Sequence, residues 1–289
     1  MLYTLLIAPF IEFDFMRRAL VGASVLALSA APIGVFLMLR RMSLVGDAMA
    51  HAILPGAALG YLVAGLSLGA MTLGGLIAGF AVALLAGLIA RITRLREDAS
   101  LAAFYLMSLA LGVTLISARG SNIDLLHVLF GSVLALDDQA LMLIGGVATV
   151  TLVTLAIIIR PLVMESIDPV FLRSVSQAGA PAHLAFLALA VLNLVGGFQA
   201  LGTLLAVGLM MLPAIAARFW AKTLTGMIAV ATLIGIVATS AGLLLSYHLG
   251  LASGPTIILV AGIMYLLSIF VGTQGGLLLA LLPRKHLEA

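Results

Sequence analysis

The 289-residue chain contains no cysteine. That excludes disulfides, iron–sulfur clusters and thiolate metal sites, so any metal it handles is met by oxygen or nitrogen. Charge is nearly as scarce: Asp, Glu, Lys and Arg make up 9% of the residues against 64% hydrophobic ones, with a mean hydropathy of +1.30. A water-soluble domain of this length could not cover itself with so few charges. No G-x-x-x-x-G-K-[ST] loop occurs, which removes ATP binding through a P-loop. No G-x-S-x-G elbow occurs and the serines have no nearby His/Asp orienter, which removes nucleophilic hydrolysis. The net charge of +3 comes from loop arginines; no basic stripe interleaved with aromatics points to nucleic acid. Also missing is the alternating ten-residue pattern of a membrane barrel. Residues 1–17 lack a basic start and carry Glu12 and Asp14, so they read as a short interfacial segment rather than a cleavable signal peptide.

What is present is a series of apolar runs near 18–39, 50–66, 70–90, 99–117, 139–159, 183–197, 200–217, 224–246 and 256–272. Most reach the roughly 17–25 residues that a bilayer-crossing helix needs. They predict an all-α polytopic membrane protein with about 8–9 transmembrane helices in a single domain, residues 1–289. The stretch 124–136 is too short to cross and predicts a re-entrant or interfacial helix. The closing run Gly275–Leu282 is also short. With the N-terminus outside, eleven of the fourteen Lys/Arg residues fall on the inner side, and only Arg17, Arg18 and Arg119 on the outer. That asymmetry sets the orientation. Gly56-xxx-Gly60 and Gly75-xxx-Gly79 have the small-residue spacing that lets helices approach closely.

One segment concentrates the chemistry: Arg40-Arg41-Met42-Ser43-Leu44-Val45-Gly46-Asp47-Ala48-Met49-Ala50-His51, followed by Ala52-Ile53-Leu54-Pro55-Gly56. On a helix, Asp47 and His51 share a face one turn apart. Ionisable groups entering a bilayer are costly and mark a pathway, a site or a buried pair. A carboxylate and an imidazole suit divalent cations such as Zn²⁺ and Mn²⁺. The plainer alternative is that Asp47 caps the second span and holds His51 by a hydrogen bond. Pro55 loosens the local backbone ladder, and hydropathy places Asp47 close to the inner boundary.

The longest inner connection, 160–182, contains Glu165, Asp168, Pro169, Phe171, Arg173 and Gly179. Asp168-Pro169 predicts a capped short helix, ended by Gly179, with Phe171 and Leu172 on one side. An amphipathic helix there is a docking knob for a cytoplasmic partner; the alternative is an ordinary connector. His127 lies in the 124–136 stretch and His248 in the outer loop after Ser246, where a lone histidine is more often packed or solvated than a ligand. Asp137 and Asp138 read as caps of the following span, and His183 has no role beyond the interface.

The frame FLMLRRMSLVGDAMAHAILPG resembles the signature of metal-ion ABC importer permeases, the class that carries zinc, manganese and sometimes iron. The resemblance continues in order through NIDLLHVLFGSVLAL at 122–136, SIDPVFLRSVSQAG at 166–179, GTLLAVGLMMLPAIAARF at 202–219 and SYHLGLASGPTIILVAG at 246–262. It implies a helical permease in the bacterial inner membrane that works as a pair of copies. Two cytoplasmic ATP-binding subunits would dock beneath it, and an extracytoplasmic metal-binding protein would deliver the ion. By the same resemblance Asp47 and His51 belong to the metal pathway. Ser240, Ser246 and His248 are candidates for a third ligand. The 165–179 segment is the coupling helix that seats in the ATPase, and the outer loops face the binding protein.

The expected function is therefore transport by alternating access, with ATP hydrolysis on a separate subunit and no resident cofactor. Recurrent histidine at 51, 127 and 248 leans the cargo slightly toward Zn²⁺ over Mn²⁺. The competing reading is an ion-coupled secondary transporter or channel for divalent metals. It requires charged groups spread through several spans, and these are nearly absent beyond Asp47 and His51. A membrane scaffold gives no reason for that pair.

Overall fold

A computed structural model of the chain describes residues 3, 6–43, 45–65, 67–93, 97–118 and 133–278. Among these residues the regular elements are all helical. They are α1 (Ala8–Glu12), α2 (Asp14–Leu39), α3 (Val45–Ala52), α4 (Leu54–Ala64), α5 (Leu68–Ile92) and α6 (Glu97–Ala118). After a short 3₁₀ turn at Val133–Ala135 come α7 (Asp138–Ile167), α8 (Pro169–Val175), α9 (Gly179–Leu201), α10 (Thr203–Ala217), α11 (Leu224–Leu249) and α12 (Ser253–Val271). Seven stretches are long and apolar enough to cross a membrane, α3 and α4 together forming one of them (Val45–Ala64). Two shorter apolar helices, Ala99–Leu115 and Thr203–Ala217, join them. Each apolar run read from the sequence coincides with one of these helices. Most of 124–136, with His127, and the end of the closing run lie outside the described residues.

Boundaries differ from the hydropathy reading wherever a helix continues past its apolar stretch. Asp14–Arg17 form the first turn of α2, so the helix begins before the apolar run. The Asp14 carboxylate accepts from the guanidiniums of Arg17 and Arg18 there, and Arg18 reaches Asp138 at 2.9 Å. Helix α7 runs to Ile167, so the inner connection shrinks to residues 168–178. His248 lies in the last turn of α11, not in a loop; that helix stops at Gly250, whose φ of +65° supplies the left-handed cap. Hydropathy ends a span at its first polar residues, whereas a helix outside the hydrocarbon needs only its backbone bonds.

Side-chain caps account for several starts. The Ala140 N–H donates to Asp137 at 2.8 Å, as expected for that residue, and the Gly226 N–H donates to Thr223 at 3.2 Å. Helix α2 forms the centre of the bundle: 72% of its apolar window is buried, and α7, α9, α10 and α11 pack around it. Helices α7 and α12 bury only 28% of theirs and keep broad apolar faces on the outside of the chain.

Helices α4 and α5 approach each other very closely. A Cβ placed on Gly56 would run into the Gly74 carbonyl and lie 2.7 Å from the Ala78 Cβ, and one on Gly60 would lie 2.7 Å from the Ala70 carbonyl carbon. Here two backbones touch directly, which only glycine allows. Gly75 and Gly79 instead make room for Ile53 and Val191 side chains.

Candidate functional site

The site begins with a reversal. Helix α2 ends at Leu39, and Arg41 takes the left-handed conformation at φ +59°. The Met42 N–H donates back to the Leu37 carbonyl at 2.8 Å. The chain therefore turns back into the bundle within the five residues 40–44, and α3 begins at Val45. Gly46 rests 3.3 Å from the Met210 side chain of α10, at the level where Gly34 of α2 meets the Met210 backbone. Gly34 precedes the end of α2 by five residues, about 8 Å of helix.

Further along, Ile53 fits against Gly75 and Gly79 of α5. Gly79 is about 16 Å from one end of that helix and about 20 Å from the other. The His51 ring stacks on Tyr105 at 6.1 Å, near the middle of α6, and the Ser108 hydroxyl donates to the Ala52 carbonyl at 2.9 Å. His51 thus sits level with the middle of α5 and α6, with Asp47 one turn nearer the reversal. Hydropathy reads Arg40-Arg41 as an exit and cannot register that reversal.

Helices α3 and α4 are separate elements meeting at Ile53, with Pro55 in the first turn of α4. Proline has no N–H, so the His51 carbonyl lacks its helical donor. The pair itself has the geometry expected from the spacing. Asp47 Oδ1 and His51 Nε2 are 3.8 Å apart, too far for a hydrogen bond. Two arms of about 2.1 Å meeting on one ion at a tetrahedral angle would hold them about 3.4 Å apart. A few tenths of an ångström separate the observed gap from a shared cation. The Asp47 side chain is 65% exposed and that of His51 29%. The His51 Nδ1 is buried without a hydrogen-bond partner. Among the described residues no third His, Asp or Glu joins the pair.

The two serine candidates bond to backbone carbonyls. Ser246 is buried and its hydroxyl donates to the Leu251 carbonyl at 2.7 Å, closing the C-terminal end of α11. Ser240 donates to the Ile236 carbonyl of its own helix at 2.9 Å. The His248 ring meets Tyr247 edge-on at 5.2 Å, and His127 lies outside the described residues.

In the 168–178 connection, Asp168 caps α8 as the sequence predicts: the Phe171 N–H donates to its carboxylate at 2.9 Å, with Pro169 in the first turn and Arg173 further along the helix. Three expectations there are corrected. Helix α8 ends at Val175, and Gly179 opens α9 rather than closing α8. Phe171 and Leu172 do not share a face, since Leu172 is buried while Phe171 is exposed with Val170 and Val175. Glu165 belongs to the end of α7, where its Oε2 is buried without a partner against Gly179, whose missing side chain makes the room.

Sequence reasoning missed a cluster above this helix. Arg40 Nε donates to the Ser166 hydroxyl at 3.0 Å, and its Nη1 is 2.7 Å from His183 Nδ1. The guanidinium lies over the Phe186 ring at 5.4 Å. His183 therefore has a role beyond the interface. The only sequence signal was that these residues all end or begin spans on one side.

Comparison with known proteins adds to this geometry. Residues 12–272 match the model of the ABC 3 transport family. The chain is 33% identical to the manganese import system permease protein ScaB of Streptococcus parasanguinis, over 91% of this chain and 92% of that one. It is 30% identical to the manganese transport system membrane protein MntC of Halalkalibacterium halodurans, over 93% and 91% of the two chains. The chelated iron transport system membrane protein YfeD of Yersinia pestis is 29% identical over 93% and 89%. Among solved structures, PsaBC from Streptococcus pneumoniae in complex with Fab superposes with a TM-score of 0.81 at 31% identity, covering 95% of this chain and 99% of that one.

Proposed function

This chain belongs to the ABC 3 transport family and is a permease subunit of a metal importer, and we propose that its cargo is a divalent transition metal that passes between Asp47 and His51. The observation that carries the proposal is this carboxylate–imidazole pair, 3.8 Å apart and, in this reading, well inside the membrane. A transport site belongs there, and ionisable groups at that depth need an ion, a partner or water. Two ligands hold an ion weakly enough to release it. Tight capture then falls to a separate binding protein outside the membrane.

Both Mn²⁺ and Zn²⁺ accept this donor set. The names of the relatives favour manganese, so Mn²⁺ is the first cargo to test, ahead of the Zn²⁺ that the histidines alone suggested. Asp47 is 65% exposed on one copy, which supports a second copy covering it, since a carboxylate at this depth does not face lipid. In this reading the chain forms one transmembrane permease domain of the bacterial inner membrane. The exposed α8 edge of each of two copies docks on one of two cytoplasmic ATP-binding subunits. ATP-driven closure of those subunits switches access from one side to the other.

ATP-driven uptake of Mn²⁺, Zn²⁺ and Fe²⁺, each alone, into vesicles carrying the assembled importer tests the proposal. Asp47→Ala and His51→Ala are expected to abolish uptake of the favoured ion while the complex still assembles. Normal uptake in both variants would reduce the pair to a structural cap. Uptake independent of ATP would support an ion-coupled transporter instead.

A further inference from the structure

We propose that Arg40 is a positioning residue that transmits movement of the inner helix α8 to the Asp47–His51 turn. The inference rests on the importer reading above and concerns how its two ends communicate.

Helix α8 is held to both of its neighbours. Asp168 caps it while donating its own N–H to the Met164 carbonyl of α7 at 2.9 Å. Its far end leads within a few residues to Gly179, against which the Glu165 carboxylate of α7 is buried. Any displacement of α8 is therefore delivered to the end of α7 and the start of α9. Arg40 grips both of those places. It donates to Ser166 on α7 at 3.0 Å, shares a 2.7 Å hydrogen bond with His183 on α9, and stacks on Phe186 one turn further along α9. Phe186 is fully buried and packs edge-on against Phe36 of α2 at 5.9 Å, so the platform under the guanidinium is rigid.

On its other side Arg40 is the residue that caps the end of α2, and the next, Arg41, holds the left-handed conformation that reverses the chain toward α3. A non-glycine residue in that region is retained where its surroundings over-determine it. Moving Arg40 thus moves the pivot from which Asp47 is presented. A snorkelling arginine, the plainer interpretation, would extend its head to water. It would not take partners from two helices and stack on a buried ring. The planar fork of arginine matches a site with three partners in different directions; a lysine reaches one of them.

The test uses the complete importer, with ATPase and binding protein, in proteoliposomes. Mn²⁺ uptake and ATP hydrolysis are measured in the same vesicles for wild type, R40A, R40K, H183A and R40A/H183A. R40A is expected to lower the ions moved per ATP about tenfold while the ATPase still co-purifies, the scale on which network residues alter coupling. R40K is expected to recover part of the loss. H183A is expected to shift the ratio in the same direction, with the double variant no worse than R40A. An unchanged ratio in R40A, or effects of Arg40 and His183 that simply add, would overturn the proposal. Should R40A fail to assemble, H183A and S166A decide: wild-type ratios in both overturn it. A wild-type complex that moves no Mn²⁺, Zn²⁺ or Fe²⁺ would overturn the importer reading as well, whereas an active wild type with an indifferent R40A overturns the clamp alone.

Discussion

Replacing Gly56 by alanine tests the packing that supports the site. The added methyl would meet the Gly74 carbonyl, with its carbon at 2.5 Å and the Ala78 Cβ at 2.7 Å. Carbon atoms in contact prefer about 3.5–4.0 Å, so α4 and α5 must part by about 1 Å. The obstacle is backbone, which cannot rotate aside. Overpacking of this kind costs about 1–3 kcal/mol, and the helix-propensity gain of alanine over glycine returns at most about 1 kcal/mol. A net loss of about 1–2 kcal/mol should lower the melting temperature of the purified permease in detergent by several degrees. Gly146 on α7 is the control, because a Cβ there meets nothing within 4 Å; Gly146→Ala should be neutral or slightly stabilising. The shift also bears on function, since Gly56 follows His51 by five residues and Ile53 fills the hollow at Gly75. If Gly56→Ala melts no lower than Gly146→Ala, the close approach of α4 and α5 is wrong.

Two further predictions follow from buried and capping bonds. Asn193 of α9 donates to Thr151 of α7 at 2.8 Å and to the Leu189 carbonyl at 2.9 Å, both residues being buried; Thr151→Val should cost about 0.6 kcal/mol and at most about 2 kcal/mol in a denaturation titration, the range measured for such bonds within membranes. Asp168→Ala should weaken α8 by about 1 kcal/mol through loss of its cap, whereas Asp168→Asn preserves it; ATPase co-purification should fall for alanine only, and equal losses would mean that charge rather than capping matters.

Much of this protein was written along the chain. Composition alone places it in a membrane, because apolar runs without charge leave the backbone no solvent but its own helix. The caps at Asp137 and Asp168 were legible, since a cap needs only a side chain beside its helix start. The Asp47–His51 pairing was legible for a similar reason: it depends on helical periodicity and nothing further. Tertiary structure decided what depends on distant partners. It set the level of the pair in the bundle, because α3 is held by packing against α6, α5, α9 and α10 rather than by local propensity. It separated Phe171 from Leu172, because burial of Leu172 depends on how α8 lies against α7 and α9. It joined Arg40 to Ser166 and His183, more than a hundred residues away, a contact that no local pattern encodes because three helix ends must first be brought together.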